Sequence, residues 1–197
     1  MRKTKTNYNQ INLKSKDKHL KNILLVFFGV FLAVFIFCFL KIVDKIRKEK
    51  MDFEPAVVER NIELENKIKE ITKGYPIAGM AKLIAQQDDQ VAAFILAIAK
   101  KESNWGKRTP KLNGEECNNF WGFRQKRDRM GSGGHTCFDS QKDAVRSVAE
   151  RIKELIASGI DTPEEMVVWK CGSSCDAHSS ESVEKWIQDV KFYYDKF

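Results

Sequence analysis

Histidine is scarce in this chain, with three residues in 197, and cysteine spacing of the zinc-finger kind is missing. Cys171 and Cys175 have three residues between them, and Cys117 and Cys137 have 19. A zinc site helped by His135 or His178 therefore lacks a framework, and the chemistry is read without metal or cofactor. A basic excess is also missing from most of the chain. The whole carries 34 Lys+Arg against 27 Asp+Glu, but residues 1–50 hold 12 and 3 of these, leaving 22 and 24 for residues 51–197. The net is thus +9 for the first part and −2 for the second. Positive charge that crowds around one segment argues against nucleic acid as a partner and for membrane topology. There is no internal repeat.

Charge is absent altogether from Ile23 to Leu40, 18 residues in a row. Ile42 and Val43 extend the run past Lys41, whose ammonium can snorkel to an interface. At about 1.5 Å per residue this length matches a hydrocarbon core of roughly 30 Å. No small-residue cleavage site follows it, so an uncleaved signal anchor over residues 23–43 is preferred to a removable signal peptide. Seven cations precede the run and five follow it, which favours a cytoplasmic N-terminus. Cys38 lies inside the run as an apolar residue. The other four cysteines all lie beyond it, an even count that suits an oxidising compartment. Three pairings are open. The local one, Cys117 with Cys137 and Cys171 with Cys175, is preferred, and closing a loop of about 20 residues is worth roughly 3 kcal/mol on the chain-entropy account.

Residues 1–22 read as a disordered basic tail. Residues 44–73 carry Val57, Val58, Ile62, Leu64, Ile68 and Ile71 at helical spacing and read as a helical stalk, which leaves self-association through it open. Gly74 ends the stalk, and Pro76 opens a helix over residues 76–87. Asp88 or Asp89 caps a very apolar helix, Val91 to Ala99, of the kind buried at the centre of a domain. Residues 107–140 are rich in glycine and read as loop, with a small hairpin joining FWGFR to HTCF. Asp139 reads as the cap of the next helix. Helices follow at 141–158, 162–170 (Asp161 or Thr162 as cap) and 181–195. The exported domain, residues 74–197, is thus mainly helical with a short β or loop lobe.

The apolar helix ends in KKESNWG. Glu102 stands at its mouth, and Trp105, three residues on, falls on the same helical face. A carboxylic acid beside an indole is desolvated, and desolvation favours the protonated form that can hand a proton to a leaving group. Lys100 and Lys101 point elsewhere and are expected in solvent. Asn118, Asn119, Phe120, Trp121, Gly122 and Phe123 then place rings and amides together, a combination that suits sugars with their apolar faces and hydroxyl rims. Trp169 and Trp186 read as core residues, and His135 and His178 as surface residues.

AKKESNWGK, NNFWGFR and CFDSQKDAVRSVAERI, in that order, resemble the bacterial β-N-acetylglucosaminidase family of peptidoglycan hydrolases. Its pattern is E-S-x-W-G, then N-L-F-G-x-K, then Y-x-S-x-x-E-A, within the lysozyme-like superfamily. The resemblance covers about residues 76–195. It implies an α+β lysozyme-like fold, glycan strands of peptidoglycan as substrate, and Glu102 as the general acid. Phe120 stands for Leu and Trp121 for Phe in the second motif. Phe138 replaces the family's Tyr and so lacks its hydroxyl. The resemblance puts Trp105, Asn119, Phe120, Trp121 and Phe138 on the substrate side. WKCGSSC resembles the loop that borders the cleft. A second carboxylate is expected in the lobe, with Glu115, Glu116, Asp128 and Asp139 as candidates. Asp128, amid Arg124, Lys126, Arg127 and Arg129, suits a base or an electrostatic stabiliser. A lytic transglycosylase and a non-catalytic wall-binding module or scaffold of an envelope machine stay open as alternatives.

Overall fold

A computed structural model describes residues 3–197, with side chains from Leu25 onward except at positions 26, 33, 49 and 51–54. The chain divides into two compact units, Met1–Val57 and Val58–Phe197. Helix α1 is Lys3–Ile71.

In the first unit α1 contains Phe27–Lys48, 22 residues long and apolar enough to cross a membrane. This stretch begins four residues later than the expected 23–43 and ends five later. Phe31, Phe35 and Phe39 are exposed, as lipid-facing side chains would be. Cys38 is a free, exposed thiol. The expectation of disorder over residues 1–22 is corrected, because residues 3–22 are helical. They hold neither Gly nor Pro, and extending a helix that an apolar segment has already nucleated adds one bond per residue fixed.

The second unit begins within the expected stalk. Leu64 and Ile68 are buried, whereas Val58 and Ile62 are half exposed. The Arg60 guanidinium pairs with Asp89 and donates to the Gln87 carbonyl at 3.1 Å. The last turns of α1 therefore belong to the globular core. α1 stops where Thr72 turns its hydroxyl back onto the Ile68 carbonyl (2.6 Å) and Gly74 takes φ 81°.

Residues 76–87, expected as one helix, are a 3-10 turn, Pro76–Met80, followed by α2, Ala81–Ala85. Helix α3, Asp89–Ser103, is the axis of the unit. All nine residues from Val91 to Ala99 are buried, and α2, α4 and α6 pack around it. Burial on every face explains the absence of a polar stripe.

The lobe consists of two antiparallel hairpins. One pairs β1, Lys111–Leu112, with β2, Glu115–Glu116. The other pairs β3, Met130–Gly131, with β4, His135–Thr136. FWGFR is not a strand of the hairpin; it meets HTCF through one backbone bond, Thr136 N–H to the Phe123 carbonyl at 2.9 Å. Cys117 and Cys137 form a disulfide that clips the lobe, and Cys171 and Cys175 form a second one. Both are the local pairs.

Helix α4 is Gln141–Ala157. Its cap is Ser140, whose hydroxyl accepts from the Asp143 N–H, while Asp139 pairs instead with Arg129. The expected 162–170 helix is a 3-10 turn, Glu165–Val167, and a single-turn helix α5, Val168–Cys171. Thr162 and Glu165 exchange hydrogen bonds as a capping box. Helix α6 is Ser180–Tyr194.

Candidate functional site

Glu102 lies in the last turn of α3. Ser103 bonds back to the Ala99 carbonyl and accepts from Gly106 N–H at 2.8 Å, so the helix ends one residue after the carboxyl. Asn104 and Trp105 then both turn left-handed, with φ of 52° and 55°. Their N–H groups return to the carbonyls of Lys100 and Ala99. The i+3 relation between Glu102 and Trp105 is lost at that turn. Trp105 points into the core, where its indole donates to the Leu96 carbonyl at 2.8 Å and meets Tyr75 and Tyr193 edge-on. It is not a cleft residue, which corrects the sequence expectation.

The indole beside Glu102 is Trp186 of α6. Its Nε1–H donates to the Glu102 Oε1 at 2.7 Å, and the ring is buried. Next to it, Lys101 bridges to Asp189 at 2.6 Å, which ties α3 to α6 a second time. Burial pushes the Asp189 carboxyl up, but hydrogen bonds from Lys101 and Lys185 outweigh that and hold it below the ordinary carboxylate range. Lys100, also expected in solvent, lies over the Trp105 ring at 4.2 Å and the Tyr75 ring at 4.6 Å.

Gly122 faces Glu102 from the loop. Its φ is 64°, and a Cβ there would stand 3.2 Å from Glu102 Oε2. Asn119 folds this loop around itself. Its amide donates to the carbonyls of Phe123 and Thr136, both at 2.8 Å, and its oxygen accepts from the N–H groups of Trp121 and Phe123. Asn119 is buried with its hydrogen bonds committed to the loop, so it holds the site's shape. Phe120 packs under Gly106, and the Trp121 indole donates to the Ile95 carbonyl. Phe138 is buried against Phe123. Of these four expected sugar contacts, Asn119 lines the smaller cleft and Trp121 the larger, both as buried floor, whereas Phe120 and Phe138 are buried and line neither.

Two clefts meet at Glu102. The larger, about 740 Å³, runs between the end of α3, the loop after Trp121, α4, α5 and α6. The smaller, about 360 Å³, lies toward the lobe, between Ser103, Arg108, Asn119 and Ser132. Glu102, Gly122 and His135 line both. Trp169 and Phe123 bring part-exposed aromatic surface to the larger cleft. Trp169 is half-buried, stacks on Phe123 at 5.4 Å and its indole donates to the Trp121 carbonyl at 2.9 Å. Lys170 and His178, on either side of the Cys171–Cys175 bridge, line the same wall.

None of the expected second carboxylates lines either cleft. Asp128 is exposed, Glu116 pairs with Lys111, and Asp139 with Arg129. Of the lobe cations, Arg127 serves Asp143, whose burial pushes its carboxyl up while the Arg127 hydrogen bond brings it below the ordinary range. The carboxylate that does share the larger cleft with Glu102 is Glu154 of α4, paired with Arg151 at 3.1 Å. Sequence reasoning missed Trp186, Trp169 and His135. Each reaches the site from an element remote in sequence, and only the disulfide loop next to Trp169 gave a local signal. Among the described residues no cluster of His, Cys, Asp and Glu suits a metal. Comparison with protein-family models, curated proteins and solved structures finds no match.

Proposed function

We propose that this chain is a membrane-anchored peptidoglycan hydrolase of lysozyme-like fold, which cleaves β-1,4 bonds of the glycan strand with Glu102 as general acid. The observation that carries this reading is the position of Glu102 at the junction of two clefts. A strand threaded through both would present an internal glycosidic oxygen to the carboxyl, with sugars on either side. Gly122 leaves room for that approach, and Trp186 fixes the rotamer. Trp169 offers an aromatic face to a sugar ring in the larger cleft. The motif order E-S-x-W-G, N-x-x-G and D-S supports the same substrate.

The chemistry needs a proton delivered to the leaving oxygen as the C1–O bond breaks. A carboxyl held by one indole N–H at Oε1 keeps Oε2 for that task. In this reading the N-terminus is cytoplasmic and the disulfide-clipped domain lies outside, where the wall is; the excess of cations ahead of the apolar run supports it. A reporter fused after Phe197 is expected to be active only outside the cytoplasm; cytoplasmic activity would overturn the orientation and the substrate together. The function is tested by incubating the detergent-solubilised full chain with purified peptidoglycan and identifying the soluble products by mass spectrometry. New reducing ends within the glycan support the reading. Wall binding without any cleavage would replace it with the non-catalytic module.

A further inference from the structure

Glu102 can supply a proton, but hydrolysis also needs a group that removes one from the attacking water. No lobe carboxylate stands in either cleft. His135 does, and it lines both of them together with Glu102 and Gly122.

The surrounding chain fixes this imidazole. Nδ1 lies 2.9 Å from the Ser132 carbonyl. A carbonyl only accepts, so Nδ1 carries the hydrogen, and in the neutral ring Nε2 holds the free lone pair. The turn that offers Ser132 is itself held: Gly133 and Gly134 take φ of 66° and 71°, and Arg124 donates to the Gly133 carbonyl at 2.7 Å. The strand that carries His135 continues into Thr136, which is buried and bonded to Phe123 and Gln125, and then into the Cys137 bridge. A cleft histidine with Nδ1 engaged and, among the described residues, no hydrogen-bond partner at Nε2 has the arrangement of an oriented base.

We infer that His135 is the general base of a single-displacement hydrolysis, which rests on the function proposed above. Water bound opposite the leaving group gives a proton to His135 Nε2 as its oxygen bonds to C1. The C1–O bond to the next sugar breaks, and Glu102 protonates the departing oxygen. The imidazolium returns its proton to solvent, and Glu102 takes one back. The β bond is converted to an α hemiacetal. Glu154 is the rival base, but it lines only the larger cleft and is engaged by Arg151.

Two measurements test this on the full chain. The first uses the native protein and needs no variant: proton NMR of the products at early time. The α anomer is expected. A β anomer, or a 1,6-anhydro end, would overturn the proposal. The second uses His135→Asn, whose side-chain amide can still donate toward the Ser132 carbonyl but cannot take a proton. Turnover on peptidoglycan is expected to fall at least about 100-fold. Sodium azide, which needs no base, is expected to restore turnover and to yield an α-glycosyl azide. A variant as active as the parent, or one that azide does not rescue while circular dichroism shows it folded, would refute His135 as base. Cleavage by the native protein that is lost in Glu102→Gln but kept in His135→Asn would leave the hydrolase reading standing and remove only this inference. A native protein that cleaves nothing would remove both.

Discussion

Trp186→Phe isolates the single hydrogen bond that aims Glu102. The phenyl ring retains most of the buried volume of the indole at the α3–α6 contact but has no N–H for Glu102 Oε1, now donated at 2.7 Å. A hydrogen bond to the protonated acid is worth about 0.5–1.5 kcal/mol net. If that energy is what keeps the carboxyl in one rotamer, its loss lowers kcat/KM by about 2- to 10-fold, since 1.36 kcal/mol is tenfold in rate. The same deletion lowers stability by roughly 1–3 kcal/mol. The assay is release of reducing ends from purified peptidoglycan, normalised to the folded fraction by circular dichroism. The paired control is Trp169→Phe. It loses an equivalent indole bond, to the Trp121 carbonyl, but that indole does not hold Glu102. Its effect should appear mainly in KM, through the sugar platform. Trp186→Phe with parental kcat/KM would refute the idea that this indole positions the acid.

Gly122→Ala combines two costs: a left-handed φ of 64°, at about 1–2 kcal/mol for a residue with a Cβ, and a methyl group 3.2 Å from Glu102 Oε2. Gly159→Ala carries the first cost alone, since its φ is 87° with open space around it. Both should lower the thermal midpoint by a few degrees, but only Gly122→Ala should cut wall-lytic turnover, by about tenfold or more; equal activity in the two would sink the steric argument. Stability should also fall in acid. Asp189 and Asp143 have carboxyls held below their ordinary range, so their contribution is present above the unfolded value of about 3.9 and is lost as pH falls through it toward the folded value. Asp189→Asn should flatten that acid limb in thermal melts between about pH 5 and pH 3, with no more than about 1 kcal/mol lost at pH 7 because the group is partly exposed. An unchanged acid limb would show that the Lys101–Asp189–Lys185 cluster carries no pH-linked stability.

Local pattern was enough to find the long helices, but not the 3-10 turns or the strands that form the hairpins, and not enough to place side chains. The run Val91–Ala99 announced α3, and Ser140 sits one residue from the cap that was expected. Gly74 ended α1 as its conformational freedom suggested. Of the three pairings open in the sequence, the local one that was preferred is the one formed. Glu102 became a candidate through the resemblance carried by AKKESNWGK, NNFWGFR and CFDSQKDAVRSVAERI in that order; a carboxyl at a helix end does not by itself stand out.

Trp105 was misread because helix periodicity was carried across a boundary at which the backbone changes hand. NNFWGFR looked like a binding surface because its aromatics and amides are adjacent in sequence. Asn119 uses its amide to fold that segment inward, so the rings fill the core. The stalk residues Leu64 and Ile68 have the same spacing whether they face a partner helix or their own domain. What covers them is tertiary. Trp186 and His135 stand 84 and 33 residues after Glu102, and no local pattern links either to it.

The central claim is that Glu102 protonates a glycosidic oxygen. Its most direct test compares the full chain with Glu102→Gln on purified peptidoglycan, measuring reducing ends against time. Gln keeps the size of the side chain and an oxygen for the Trp186 N–H but cannot donate a proton as an acid. The account predicts at least a 100-fold fall, about the lower bound for removal of a general acid, with a thermal midpoint nearly unchanged. Parental activity in Glu102→Gln would contradict it.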